Sequence, residues 1–352
     1  MTAPTATMPV VSDDMHDSGE DLSGLARWPS LHKAVMQLDD LLTPTFDALD
    51  ASAIAHQRRY RWVIFVTAFG GSLAVLASLA QLTLERLSYD AEWAATTEVV
   101  AIVVTVVAIG FGYYFGWLKH WLHDRFRAEQ LRLLKFSSLL DPRMWGSATR
   151  QTAWQADVLN ARDRIVALTE DDLKIQSERG SIPRLPTHDD CCDLASDAFD
   201  ALLVFYRRKR IINQRDYFGD ACARGVSFLD EPKLLPIFFV ASVLMVAAHV
   251  VVAHFIAGES AAKVSTIFSA ASAGLPVTWA GIRTYRSARE FSRNLARSAA
   301  RREMLDEVAR RLDEDARSDP TALLGELQIC ELVLDSDQRE WLRLMREVEW
   351  YG

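Results

Sequence analysis

The sequence predicts an all-α integral membrane protein, in which four transmembrane helices form two hairpins that continue into long cytosolic helices. Four stretches contain no Asp, Glu, Lys or Arg, and basic residues cluster beside only one end of each stretch. Outside these stretches the apolar residues follow a helical rather than a strand period. Half of the 352 residues are hydrophobic although 24% are charged, so the two kinds are segregated along the chain.

Each uncharged stretch is long enough to cross a bilayer as a helix. The stretches contain 23, 20, 25 and 19 residues and run Trp62–Leu84, Val99–Leu118, Leu234–Gly258 and Val264–Ile282. About 20 residues at a rise of ~1.5 Å per residue span a hydrocarbon core of ~30 Å. Buried helices of a soluble domain are the alternative interpretation. Such helices seldom run this far without an ionisable group, so we favour the membrane interpretation.

The basic residues predict the orientation of the spans. The ends of the spans that are not joined by the two short connections are flanked by 22 Lys and Arg residues. The short connections themselves carry one each, Arg86 and Lys263. Positively charged flanks stay on the cytosolic side of a membrane. We therefore expect both termini and the central region to be cytosolic, although the net charge of the whole chain is −8.

The same features divide the chain into six segments. Thr, Pro and Asp are frequent at the start, which predicts disorder, and Gly180, Pro183 and Pro186 mark a linker before the second half. The predicted segments are a disordered acidic tail (1–27), cytosolic amphipathic helices (28–61), a first transmembrane hairpin with a long cytosolic helix (62–140), a helical segment and linker (141–192), a second transmembrane hairpin with flanking cytosolic helices (193–315) and C-terminal cytosolic helices (316–352).

Apolar spacing gives more detail for three of the cytosolic segments. The apolar residues Leu31, Val35, Leu38 and Leu42 share one helical face. An apolar face also continues beyond the second span, which predicts one helix from residue 98 to residue 140. The C-terminal tail has a helical pattern that we expect to be interrupted near residues 335–337.

Small residues and one proline are candidates for helix packing or a hinge. Gly112 and Gly116 form a GxxxG pair, which lets helices approach closely, either within one chain or between copies in an oligomer. In the fourth span, Gly274 closes a run of small residues. Pro276 follows it and removes one helical hydrogen bond, so it predicts a kink that could also serve as a hinge.

The sequence contains no motif that predicts an enzyme. GxxxxGK[ST], HExxH, GxSxG and GxGxxG are all absent, so we expect no catalytic residue and no cofactor. His188, Cys191 and Cys192 lie together, but no second pair of ligands is apparent, so we expect no metal site. The basic helices lack the interleaved aromatics of a nucleic-acid module, so we expect no nucleic-acid partner.

Four groups of residues give the chain a resemblance to a known family. Tyr206-x3-Arg210-x3-Gln214-x2-Tyr217 precedes the third span, and Arg125-x-Arg127-Ala128-Glu129-x2-Arg132 follows the second. A charged helix with Arg286, Arg289 and Glu290 follows the fourth span, and Glu331 and Glu340-Trp341 lie near the C-terminus. Over residues 45–350 the chain thus resembles the bacterial SLATT family, the SMODS and SLOG-associating two-transmembrane effector domains, in a four-span version.

The resemblance implies an oligomeric, pore-forming effector of a bacterial defence system. It implies a multi-pass protein of the inner (plasma) membrane that responds to a cytosolic signalling or nucleotide-synthesising partner. A non-conducting membrane scaffold and a small transporter remain alternatives. We expect a homo-oligomer in the lipid bilayer, and the candidate cytosolic coupling surface comprises Arg125, Glu129, Arg132, Arg210, Gln214 and Tyr217.

Overall fold

The computed structural model describes residues 14–145, 147–178, 196–224, 234–256, 258–288, 291–314 and 320–349. Every regular element in these ranges is helical, and none of the described residues lies in a strand. This confirms the predicted all-α class. The predicted linker, including Cys191 and Cys192, lies outside the described residues.

Twelve α-helices and two short segments of tighter or wider helix make up the described chain. In order they are α1 (Gly19–Leu25), α2 (Pro29–Arg86), α3 (Glu92–Phe115), α4 (Trp117–Leu139), a 3₁₀ turn (Pro142–Trp145), α5 (Ala148–Val166), α6 (Glu170–Glu178), α7 (Ser196–Tyr206), a π-helical segment (Arg207–Ile212), α8 (Asn213–Arg224), α9 (Leu234–Phe255), α10 (Glu259–Ala288), α11 (Phe291–Glu314) and α12 (Pro320–Glu349).

The chain divides into two compact units. Unit 1 comprises Met1–Ala55, Lys119–Cys222 and Ala296–Gly352, and unit 2 comprises His56–Leu118 and Ala223–Leu295. Unit 1 contains most of the charged sequence, whereas unit 2 contains the uncharged stretches.

Unit 1 has a buried hydrophobic core. The predicted apolar stripe at the start of α2 lies in this core, because Leu31, Val35, Leu38 and Leu42 are all fully buried. Leu131 and Phe136 extend the core along α4, and residues of α7, α11 and α12 complete it. The buried face of α7 includes Phe205 and Tyr206 at its end, and the wider π-helical segment that follows buries three consecutive residues, Lys209, Arg210 and Ile211.

Unit 2 contains antiparallel helices that meet at small residues. Gly70 lies against Thr105 and Gly112 against Val63, so α2 and α3 run in opposite directions. In the same way, Ser242 contacts Ser272 between α9 and α10. Large apolar side chains point outward from these helices, including those of α3 and α9.

Three helices are long and apolar enough to cross a membrane: Pro29–Arg86, Glu92–Phe115 and Pro236–Phe255. Outward-facing apolar side chains on such helices suggest a membrane protein. The fourth predicted span is part of α10, which is not among the three because its Ser, Thr, Gly and Ala residues lower its hydropathy.

Four local predictions are corrected. Residues 14–27 are folded rather than disordered, with Met15 fully buried in the core of unit 1. The predicted helix over 98–140 is interrupted at Gly116, whose φ of 56° ends α3, since a residue without Cβ adopts this conformation readily. Residues 29–61 belong to one long helix, α2, instead of forming separate amphipathic helices. The C-terminal helix α12 continues through Asp335.

The physical reason for the uninterrupted α12 is that its acidic residues have partners. Asp335 accepts hydrogen bonds from Gln130 of α4 and from Arg339 one turn later, at 2.9 and 2.8 Å. Asp337 accepts from Arg297 of α11 at 3.2 Å. Side chains that compete with the helix in isolation are therefore occupied by other parts of unit 1.

Candidate functional site

A row of ion pairs runs along α4. Arg125 pairs with Glu129 one turn later at 2.5 Å, and Glu129 pairs with Arg132 at 2.9 Å, so the three side chains share one helix face. Arg125 also donates a hydrogen bond to Asp50 of α2 at 2.7 Å. The pairs within α4 follow from the spacing of these residues by three and four positions, whereas the contact with Asp50 does not.

A second set of contacts surrounds Arg210 of the π-helical segment. Its guanidinium donates two hydrogen bonds to the Glu331 carboxylate of α12, at 2.9 and 2.8 Å. The Tyr206 hydroxyl donates to the same carboxylate at 2.6 Å. Arg210 also lies over the ring of Phe136, with 4.8 Å between Cζ and the ring centroid. Two parallel hydrogen bonds and a stacked ring fix the guanidinium in one orientation.

Asp14 connects the two sets. One of its carboxylate oxygens forms an ion pair with Arg132 Nε at 2.9 Å. The other accepts hydrogen bonds from Arg210 at 3.1 Å and from Gln214 at 2.7 Å. Because Asp14 is 2% exposed, this contact lies inside unit 1. A single continuous ionic network therefore joins α2, α4, the π-helical segment, α8 and α12.

Burial and the charges of the network shift the pKa values of several groups, among them Glu129, Tyr206 and Cys330. Burial alone would raise the pKa of Glu129, but Arg125 and Arg132 outweigh burial and lower that pKa to about 2. Burial, together with the negative charge of Glu331, raises the pKa of Tyr206 well above its usual value. Burial similarly raises the pKa of the neighbouring Cys330 thiol to about 12. Glu129 is thus held ionised, while the Tyr206 phenol and the Cys330 thiol are held neutral.

The structure brings five of the six candidate coupling residues into this network: Arg125, Glu129, Arg132, Arg210 and Gln214. Tyr217 is 42% exposed and packs its ring edge against Phe218. The residues do not form a surface, because Arg132 and Arg210 are largely or fully buried. The sequence analysis does not identify Asp14 as a candidate residue. The run of acidic residues that contains Asp14 is the sequence feature that points to it.

The packing candidates Gly112 and Gly116 have two different roles in unit 2. A Cβ at Gly112 would lie 3.0 Å from Val63, so this glycine serves packing within the chain. Gly116 instead ends α3 through its positive φ. The GxxxG pattern therefore combines one helix contact with one helix end.

Gly274 and Pro276 lie in α10 at contacts with neighbouring helices. A Cβ at Gly274 would lie 3.2 Å from Leu76 of α2. Pro276 has no N–H to donate to the carbonyl of Ser272 four residues earlier. The Ser242 hydroxyl of α9 donates to that carbonyl at 2.9 Å. A hydrogen bond from a neighbouring helix thus compensates the one that proline removes.

The two histidines of α9 lie apart from each other. His249 Nδ1 contacts the Ser265 carbonyl of α10 at 2.9 Å and, because a carbonyl only accepts, the ring donates there. His254 instead contacts the Val250 carbonyl of its own helix at 3.1 Å. In the described part of the chain, no group of three or more His, Cys, Asp or Glu residues is arranged to hold a metal ion.

Comparison of the chain with protein-family models, curated proteins and solved structures gives no match. The chemistry of the network therefore has to be read from its own geometry. Its carboxylates are engaged by guanidinium, amide and hydroxyl groups from several helices. Such an arrangement holds the helices in fixed positions relative to one another. It is sensitive to a change in the charge of any member, because a buried ion that loses its partner strongly destabilises the fold.

Proposed function

We propose that this protein is an oligomeric, pore-forming membrane effector whose opening is controlled through the ionic network of unit 1. The supporting observation is an exposed face of small residues on α10. The residues on this face are Ala262, Ser269, Ala273, Pro276 and Ala280. Their spacings of three, four and seven residues place them on one side of a helix.

This face differs from the lipid-suited faces of the other helices. On α9 the exposed residues include Ile237, Phe239 and Leu244, which are large and apolar. Small residues at a helix surface allow another helix backbone to approach closely, and this drives association in lipid. In our proposal the small face of α10 contacts α10 of a second copy or lines a pore. The hydropathy of α10 is lower than that of the other three spans, which suits a helix that faces protein or water rather than lipid.

The proposed topology has four spans. Three are the helices with sufficient length and hydropathy, and the fourth is α10, which would be shielded from lipid by its neighbours and by other copies. The Lys and Arg distribution supports cytosolic termini and a cytosolic unit 1. The buried, salt-bridged character of unit 1 suits an aqueous compartment.

The biological setting of the proposal rests on the resemblance to the SLATT family. That resemblance supports a bacterial inner-membrane effector of a defence system, with a cytosolic signalling or nucleotide-synthesising partner as its trigger. Tyr206, Arg210 and Gln214 of the resembling motif contact one another through Asp14 and Glu331. A signal that alters this network would change how the helices of unit 1 hold together.

A matched pair of substitutions tests the proposed oligomer. Ala273→Leu adds bulk to the small face of α10, and Ala247→Leu makes the same change at an exposed position of α9. We expect A273L to reduce the oligomer seen by mass photometry in nanodiscs and to change ion flux across liposomes, while A247L behaves as the wild type. Equal effects of the two variants would contradict the proposed contact.

Flux measurements also separate the proposal from its main alternative. Liposomes that contain the protein in its open state should lose an imposed potassium gradient. If the D14N variant, which perturbs the network, and the wild type both leave the gradient intact while forming oligomers, the scaffold alternative replaces the pore. Asp14 suits this variant because it contacts both Arg132 and Arg210.

A further inference from the structure

Residues 14–21 form an acidic segment that is held inside unit 1. Asp14, Asp17 and Asp21 are spaced three and four residues apart, and their side chains are almost completely buried. Met15, between them, is also fully buried and belongs to the hydrophobic core. Three buried carboxylates require compensating positive charge close by.

Part of that charge comes from α4. Lys135, which is fully buried, contacts the Asp17 carboxylate at 2.8 Å and donates to the Met15 carbonyl at 2.6 Å. Arg132, one turn earlier on the same helix, contacts Asp14 at 2.9 Å. The acidic segment is therefore bound to α4 through both side chains and backbone.

The remaining charge comes from the π-helical segment in the other half of the chain. Arg210 contacts Asp14 at 3.1 Å. Lys209 contacts Asp21 at 2.9 Å and Asp17 at 3.6 Å, and it donates to the His16 carbonyl at 2.7 Å. The wide turn of a π-helix brings both adjacent cations to one buried side, and such segments are frequent at functional sites.

Asp14 and Asp17 thus bridge two elements that carry like charge. Arg132 and Lys135 on one element and Lys209 and Arg210 on the other define what we call the basic cleft. Glu129, Glu331 and Asp39 neutralise only part of this charge, through Arg132, Arg210 and Lys135. Withdrawal of the acidic segment would leave an excess of positive charge in a poorly hydrated site, which is unfavourable unless another anion enters.

We propose that the basic cleft is an anion-binding site, that residues 14–21 are its resident internal ligand, and that a multivalent phosphate competes with them for it. Arginine forks and lysine ammonium groups are the side chains that bind phosphate best. Competition requires a multivalent ligand because the tethered segment presents three carboxylates at a high effective concentration. This inference does not depend on pore formation.

Binding of tripolyphosphate to the full-length protein in detergent, measured by isothermal titration calorimetry, tests the proposal. The variant D14N/D17N/D21N removes the internal ligand's charge. The control variant E20Q/D40N/D171N removes the same number of charges from exposed positions of unit 1. We expect the first variant to bind tripolyphosphate at least tenfold more tightly than the wild type and the control. Indistinguishable binding by all three folded proteins would overturn the proposal.

Hydrogen exchange of the wild type decides the question if the first variant does not fold. Tripolyphosphate at millimolar concentration should increase amide exchange in residues 15–25, because it displaces the acidic segment. Sodium chloride at the same ionic strength serves as the control and should have a smaller effect. Unchanged exchange at saturating tripolyphosphate would overturn the proposal. Because neither experiment measures ion flux, its outcome is separate from that of the pore hypothesis.

Discussion

The two units of this protein differ in which kind of side chain they bury and which kind they expose. Unit 1 places charged groups inside, where Lys135 and Arg210 are buried against carboxylates. Unit 2 places large apolar groups outside, where Val106 and Phe239 are more than 60% exposed. In water the second arrangement would be costly, and in lipid the first would be. Together with the three helices that are long and apolar enough to cross a membrane, the exposed apolar side chains of unit 2 suggest a membrane protein.

The largest expected effect comes from removing a cation from the core of unit 1. Arg210→Ala leaves Glu331 and Asp14 buried without their guanidinium, which should cost about 3–5 kcal/mol. Arg143, which is 42% exposed and pairs with Asp141, is the matched control, and its replacement by Ala should cost ~1 kcal/mol or less. Thermal and denaturant unfolding followed by circular dichroism measures both. Similar losses would show that the network contributes no special stability.

Acidification should weaken the same network through Glu129. Its pKa of about 2 in the folded protein lies below the ordinary value of 4.5, so its stabilisation is complete above pH ~4.5 and is lost as the pH falls towards 2. The shift corresponds to roughly 3 kcal/mol. The difference in unfolding free energy between wild type and Glu129→Gln should therefore shrink across this pH window. A difference that stays constant with pH would contradict the assigned role.

Two tyrosines of the resembling motif offer a smaller and matched comparison. Tyr206→Phe removes a buried donor from Glu331 and should destabilise the protein by about 1–3 kcal/mol. Tyr217→Phe changes a ring that is 42% exposed and should change stability by less than ~0.5 kcal/mol. Unfolding curves of the two variants measured together check the ranking. A larger destabilisation by Tyr217→Phe than by Tyr206→Phe would contradict the role assigned to the Tyr206 hydroxyl.

In unit 2 we expect a smaller effect, which comes from the loss of one hydrogen bond to a backbone carbonyl. Ser242→Ala removes the donor to the Ser272 carbonyl and should cost about 0.6–1.7 kcal/mol in a membrane environment. In a Pro276→Ala background the carbonyl regains its helical partner, so the same substitution should cost less. A double-mutant cycle in detergent measures this coupling. Independent, additive effects would contradict the compensation.

The sequence predicts unit 2 better than unit 1, and there is a physical reason for the difference. The length and hydropathy of a stretch such as Val99–Leu118 are local properties, and so is the apolar stripe that begins at Leu31. The contact between Asp14 and Arg210 joins residues 196 positions apart, and no local pattern specifies it. The acidic start therefore resembled a disordered tail because its counter-charges lie far along the chain.

Some local patterns were also ambiguous. A GxxxG pair is compatible with close helix packing at both glycines, but Gly116 uses its conformational freedom to end α3. Pro276 removes one hydrogen bond of α10, the helix continues through it, and Ser242 of α9 supplies a donor to the freed carbonyl. For Pro276, the neighbouring helix that supplies the donor is not apparent from the local sequence pattern.

Cysteine labelling in spheroplasts tests most directly whether the two units occupy different solvents. All four native cysteines are replaced by alanine, and single cysteines are introduced as Tyr89→Cys between α2 and α3 and as Ser137→Cys in unit 1, both at exposed positions. A membrane-impermeant maleimide should label residue 89 in intact spheroplasts, and residue 137 only after lysis. Labelling of residue 137 in intact spheroplasts, or recovery of the protein in the soluble fraction without detergent, would contradict the proposed topology.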